Sequence, residues 1–328
     1  MADFTQTLMT AIAIGSLYAL IALGYTMVYG ILKFINFAHS DIVVLGGWLS
    51  YTIATSPLRV PWLGWQLGYN LNPQSPTPPL WVAVEILIRV MLLCGLIGFT
   101  IERLAYRPLR RAPRLNVLIT AIGVSLFLQN LGQLDFVFGA SPEKMPALLP
   151  SWELASFSFG SGESTRKVVI SLVDTMIFAT SAVLMLVLEY LVFRTKLGTA
   201  MRAVSFNTDT AALMGIPVDR VISFTFVLGS MLAAAAGFLY VMKYPGMNQP
   251  AHTVWVLLGL KAFVAAVIGG IGNVRGAVLG GFVIAAVEQF GAFYISSNYR
   301  DVYVFALLIG ILLVKPTGLL GSPLREKV

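Results

Sequence analysis

The chain has 328 residues, 57% of them hydrophobic and 11% charged, with a mean hydropathy of +0.82. Soluble domains carry about 25% charge, so this composition excludes a soluble globular protein and implies a lipid bilayer as solvent. The net charge of +7 lies mainly in short loops between apolar runs, where it sets membrane topology and does not point to nucleic acid as a partner.

Met1 to Thr7 includes Asp3 but no Lys or Arg, so the basic region of a cleavable signal peptide is missing and the first apolar run is expected to be a retained span. The runs follow in order: Leu8–Leu32, the short Ile42–Thr55, Leu80–Ile101, Val117–Phe138, Val168–Phe193, Val221–Met242, Val254–Gly270, Ala277–Ile295 and Val302–Val314. A full crossing needs about 20 apolar residues. The count is therefore about eight or nine, depending on whether 42–55 crosses fully or is re-entrant. The predicted fold class is all-α: a polytopic transmembrane helical bundle with short or broken helices, read as one transmembrane domain over 1–328.

Charge asymmetry orients it. Arg103, Arg107, Arg110, Arg111 and Arg114 follow the third run; Arg194, Lys196, Arg202 and Arg220 follow the fifth; Lys315, Arg325 and Lys327 close the chain. These regions are expected in the cytoplasm. The loops 56–79 and 139–167 lack such an excess and are expected outside. With the short run counted as a crossing, the N-terminus is outside and the C-terminus inside.

Two segments interrupt apolar runs at comparable places. One passes from Gly30 through Asn36, His39, Ser40 and Asp41 to Gly46-Gly47; the other passes from Lys261 through Gly269, Gly270, Gly272 and Gly276 to Gly280-Gly281. Paired interruptions of this kind point to a transporter path, and frequent glycine in membrane helices is the plainer explanation. Ser40 or Asp41 is expected to cap the short helix, whose N-terminus would suit a carboxylate. Gly272, Gly276 and Gly280 share a helix face and read first as packing residues.

Glu85 and Arg89 are spaced to pair within a span. Glu189, Lys261 and Glu288 are further ionisable groups in apolar runs, candidates by default. The segment 194–220 is too polar to span. Within it, Thr199–Met214 reads as a short amphipathic helix ending at Gly215, with Pro217 beyond, lying on the membrane or docking a cytoplasmic partner. A single cysteine, Cys94, and two histidines, His39 and His252, give no basis for a metal site or a disulfide within the chain. There is no G-x-x-x-x-G-K-[ST] loop, so nucleotide hydrolysis by this chain is not expected.

Three stretches carry a family resemblance. Residues 22–39 (ALGYTMVYGILKFINFAH) resemble the N-terminal signature of LivH-type permeases of branched-chain amino acid ABC importers. Residues 198–216 (GTAMRAVSFNTDTAALMGI) resemble that family's cytoplasmic coupling segment, and residues 267–281 (VIGGIGNVRGAVLGG) its late glycine-rich segment. The resemblance implies a bacterial inner-membrane permease for branched-chain or other neutral amino acids, with no catalytic residue or cofactor in this chain. It implies as partners a second, LivM-like permease, two ABC ATPase subunits that bind ATP and Mg, and an extracytoplasmic amino-acid-binding protein. It assigns Arg202, Ala203, Asp209, Ala212, Gly215 and Ile216 to ATPase coupling, and places Asn36 and His39 near the path. Ser40, Asp41, Gly269, Gly270 and Gly272 join them as path candidates. Ser40 and Asp41 replace the family's usual Gly and Glu, and Asn273 and Arg275 also depart from its pattern. A related importer for urea or short amides is the alternative, ahead of an ion-coupled transporter or channel.

Overall fold

A computed structural model describes residues 2–56, 59–60, 65–66, 68–110, 112–159 and 166–321. Of the charges used above to orient the chain, Arg111, Arg325 and Lys327 lie outside the described residues. The protein is a polytopic helical membrane protein. Its helices are α1 (Ala2–Leu32), α2 (His39–Thr55), α3 (Leu80–Ile101), α4 (Arg114–Gly132), α5 (Leu172–Arg194), α6 (Lys196–Phe206), α7 (Thr208–Leu213), α8 (Val218–Lys243), α9 (Thr253–Gly269), α10 (Val274–Tyr294) and α11 (Arg300–Val314). Among the described residues, 7 helical stretches are long and apolar enough to cross a membrane. The helices α2 and α9 are shorter, with 17 residues each.

Several sequence-predicted edges move, and the fourth and fifth runs show why. The fourth run leaves helix at Gly132, not Phe138: Leu134 O accepts from Val137 N at 2.8 Å and Gly139 takes φ +84°. The fifth helix starts at Leu172, not Val168. The β-branched Val168, Val169 and Ile170 belong to a strand (Arg166–Ser171) paired antiparallel with Glu153–Phe159, and Ser171 then caps α5 by accepting from Val173 N.

The chain forms two compact units. The first comprises Met1–Lys33, Ser151–Val218 and Leu260–Val328. In it α1 lies along α10, and Ala19, Leu20, Ile21, Ala22 and Leu23 are fully buried. A Cβ on Gly281 would meet Ala19 N at 2.6 Å, so the two backbones touch only because the residue is glycine. The second unit comprises Phe34–Pro150 and Asp219–Gly259. There α2 lies against α8: a Cβ on Gly46 would meet Ala234 Cα at 2.6 Å, and Ala233 through Ala236 are fully buried. Small residues take these places because lipid supplies no hydrophobic drive between helices, leaving close van der Waals contact to hold them. The helix α9 begins in the second unit and ends in the first.

Candidate functional site: two helix breaks and a polar segment

The first break lies between α1 and α2. Lys33 takes φ +57°, and α2 does not begin until His39. Asn36, His39 and Asp41 are buried. The Tyr106 hydroxyl donates to Asn36 Oδ1 at 2.6 Å, and the Tyr106 ring is held between Phe34 and Phe226, with centroids at 5.5 and 5.4 Å. The expected cap is not formed. The N-cap position falls on Ala38, in helical geometry, so Ser40 and Asp41 already lie inside the first turn. Ser40 Oγ donates to Phe37 O at 2.9 Å. Asp41 Oδ1 accepts from Gln129 Nε2 at 2.9 Å, and that amide also donates to Ser125 Oγ at 3.1 Å. Asp41 Oδ2 is buried and has no hydrogen-bond partner among the described residues. Gln129 and Ser125, four apart on α4, therefore join the polar group of α2. Sequence reading missed them because uncharged polar residues in an apolar run carry no periodic signal.

The second break lies between α9 and α10. Gly270 and Gly272 take φ +105° and +93°, a region that a side chain makes costly. Asn273 caps α10, its Oδ1 accepting from Arg275 N and Gly276 N, both at 3.1 Å. Two carbonyls left open at the end of α9 are taken by the chain after α11: Leu319 N donates to Ile268 O at 2.7 Å and Leu320 N to Gly269 O at 3.0 Å. Asn273 Nδ2 completes the clasp by donating to Leu320 O at 2.8 Å. A Cβ on Gly30, near the end of α1, would lie 3.8 Å from Gly272 Cα. The structure thus brings Gly272 to the end of α1, while Asn36, His39, Ser40 and Asp41 assemble in the other unit.

The segment 194–220 forms two helices where one was expected. Asn207 interrupts it at φ −155° and caps α7, its Oδ1 accepting from Thr210 N at 2.9 Å. Asn at this place offers the backbone an alternative to continuing α6. Gly215 ends the segment at φ +79°, with Gly215 N donating to Ala212 O and Ile216 N to Ala211 O. Arg202, Asp209, Ala212 and Gly215 are exposed; Ala203 and Ile216 are half-buried. The more telling residues are apolar: Phe206 is 94% exposed, Leu213 88% and Met214 78%. They are apolar side chains that this chain leaves uncovered on a segment too polar to span. Arg202 and Arg275 both place their guanidinium groups over the Phe193 ring, at 5.6 and 5.3 Å, and Arg275 Nη2 is 2.6 Å from Glu189 Oε1. Arg275 thereby ties the start of α10 to the end of α5.

The ionisable residues of the spans are paired. Glu85 and Arg89 meet as their spacing predicts, and the Tyr69 hydroxyl donates to Glu85. Lys261 reaches Glu288 at 2.9 Å and Asp301 at 2.7 Å, and Tyr18 donates to the other Glu288 oxygen at 2.7 Å. A second group stands at the end of α3, which continues through a π-helical turn (Glu102–Tyr106) and a 3₁₀ turn (Arg107–Leu109). Pro108 has no N–H and its ring cannot stand against the Leu104 carbonyl, which widens the helix here. The wider turn puts Glu102 and Tyr106 on one buried side and leaves Leu104 exposed. Glu102 accepts from Ser223 Oγ at 2.5 Å and pairs with Arg110, which also pairs with Asp219; Arg107 meets Asp219 at 2.6 Å.

Comparison with known proteins agrees with this architecture. Residues 7–313 match the family described as branched-chain amino acid transport system / permease component. The chain is 41% identical over 326 residues to the high-affinity branched-chain amino acid transport system permease protein BraD of Pseudomonas aeruginosa, covering 99% of this chain and 98% of that one. It is 38% identical over 327 residues to LivH of Escherichia coli K12, with the same coverage. The probable branched-chain amino acid transport permease LivH of Methanocaldococcus jannaschii is 28% identical over 322 residues, covering 95% and 90%. A membrane-spanning chain whose polar residues converge on two helix breaks, and which matches these permeases from end to end, belongs to the family of branched-chain amino acid ABC transport permeases.

Proposed function

We propose that this chain forms the translocation path of an ATP-driven importer for branched-chain or other neutral amino acids. The observation that carries the reading is the end-to-end match to BraD and LivH, at 41% and 38% identity. Asn36, His39, Ser40 and Asp41 at the first break, and Gly269, Gly270 and Gly272 at the second, are the candidate residues of the solute's path. Asp41 Oδ2, buried and without a hydrogen-bond partner among the described residues, suits a passing ammonium group.

The chain works with a second, LivM-like permease, two cytoplasmic ABC ATPase subunits that bind ATP and Mg, and an extracytoplasmic binding protein. It lies in the inner membrane with its N-terminus outside and its C-terminus in the cytoplasm. On that orientation α6 and α7 are cytoplasmic. Phe206, Leu213 and Met214 then dock in an ATPase groove, with Arg202, Ala203, Asp209, Ala212, Gly215 and Ile216 around them. ATP-driven approach of the two ATPase subunits pushes on this segment and opens the path to one side at a time. The push shifts the equilibrium only as far as the ATPases bind the two states differently.

The test is uptake of labelled leucine by proteoliposomes holding the whole assembly. Uptake that requires ATP, the binding protein and this chain is expected. Charge reversal at Arg202 or Asp209 is expected to separate ATP hydrolysis from uptake. ATP-independent uptake by this chain alone would contradict the proposal.

A further inference from the structure

The cytoplasmic segment joins α8 through the short turn at Gly215, and the first turn of α8 contains Asp219. Asp219 holds two arginines, Arg107 and Arg110, from the end of the extended α3. Arg110 turns inward from there to Glu102, which is fully buried and hydrogen-bonded to Ser223 of α8. Glu102 opens the π-helical turn and Tyr106 closes it. Tyr106, 1% exposed, donates to Asn36 in the break before α2. Inward of Asp219 the links are buried: Glu102, Tyr106 and Asn36 are each at most 7% exposed. A π-helical turn within a helix frequently marks a functional place, and this one carries a buried polar contact at each end.

We propose that Asp219, Arg110, Glu102 and Tyr106 form a relay that carries movement of the cytoplasmic segment to Asn36, and so to the first helix break. The inference rests on the reading that α6 and α7 dock the ATPases. In it Arg110 and Tyr106 are positioning residues: neither touches solute, and each sets where the break stands. When the segment shifts, Asp219 shifts with the first turn of α8. Arg110, forked between Asp219 and Glu102, passes the displacement to the π-helical turn, and the Tyr106 hydroxyl passes it to Asn36.

The test uses the assembled transporter in proteoliposomes and reads three quantities: ATPase subunits co-purifying with the permease, ATP hydrolysis, and uptake per ATP hydrolysed. Tyr106→Phe removes one hydroxyl and leaves the ring contacts in place. It is expected to leave co-purification and hydrolysis intact and to lower uptake per ATP by about fivefold or more, the lower end of a typical coupling between sites. Asn36→Leu, which also removes a candidate path residue, is expected to fall at least as far, and adding Tyr106→Phe to it is expected to give no further fall, because that link is already gone. Leu213→Asp is the control for docking and is expected to lose the ATPase subunits.

If Leu213→Asp loses the ATPases while Tyr106→Phe keeps the normal uptake per ATP, the relay is overturned and docking stands. If Tyr106→Phe and Asn36→Leu lower the ratio additively, the link between them is likewise overturned. If Leu213→Asp retains its ATPases, the docking reading falls and the relay falls with it. Should Tyr106→Phe fail to assemble, Arg110→Lys carries the test. It keeps the charge but loses the fork between two acids, with the same fall expected and an unchanged ratio contradicting the relay.

Discussion

The two units bury ionic groups of the same composition. In the first, the acid Glu288 is held by the Tyr18 hydroxyl and by Lys261, and Lys261 also reaches Asp301 in the first turn of α11. In the second, the acid Glu102 is held by the Ser223 hydroxyl and by Arg110, and Arg110 also reaches Asp219 in the first turn of α8. Acid, hydroxyl, cation and half-exposed aspartate recur in the same order. The difference is the cation and what lies beyond it. Lysine is a compact charge that closes the first group on itself. Both cations meet two acids, but arginine does so through separate nitrogens of a planar fork, and the second group adjoins the turn whose Tyr106 contacts a helix break. The first fixes helices together, whereas the second, on the proposed orientation, stands at the cytoplasmic ends of α3 and α8. Similar chemistry thus serves as an anchor in one unit and as a linkage in the other.

Substitutions at the two cations break this comparison most directly. Lys261→Met leaves the buried Glu288 carboxylate without its counter-charge and is expected to cost about 3–5 kcal/mol of stability, read as an earlier thermal transition in detergent. Adding Glu288→Leu is expected to recover most of that loss, since an apolar pair replaces the ionic one. Protein that survives either change should keep its normal uptake per ATP. Arg110→Lys is expected to cost less, about 1.5–3 kcal/mol for a lost charged hydrogen bond, and to lower uptake per ATP instead. Equal losses of coupling from both lysine and arginine variants would erase the distinction. The smallest effect is expected at Arg107→Ala: its partner Asp219 is 55% exposed and also held by Arg110, so the change should stay within about 1 kcal/mol.

Much of this was legible in the sequence, for identifiable reasons. Long apolar runs give the spans because a helix in lipid must satisfy its own backbone. The Glu85–Arg89 pair was visible because four residues bring both side chains to one face. Gly215 and the second interruption, at Gly270 and Gly272, were visible because glycine marks the backbone conformations they take; the first turns at Lys33, which no glycine marks. The rest depends on contacts far apart in the chain. Lys261, Glu288 and Asp301 are separate singletons in the sequence and meet only after α9, α10 and α11 have packed. Glu102 reads as the one acid of a basic loop; its burial follows from a π-helical turn that hydropathy does not register. The cap expected from Ser40 or Asp41 failed because α2 begins one residue before Ser40, which puts both side chains inside the helix. The exposed Phe206, Leu213 and Met214 were folded into an amphipathic pattern, and only the break at Asn207 shows which apolar residues remain uncovered.

The account depends above all on α6 and α7 facing the cytoplasm. Cys94 is buried, so a cysteine introduced by Thr208→Cys can be followed with a membrane-impermeant thiol reagent, with Asn72→Cys as the outer-face counterpart. The account predicts that Thr208→Cys is labelled in inside-out vesicles and protected in intact cells, and Asn72→Cys the reverse. Labelling of Thr208→Cys in intact cells would contradict it.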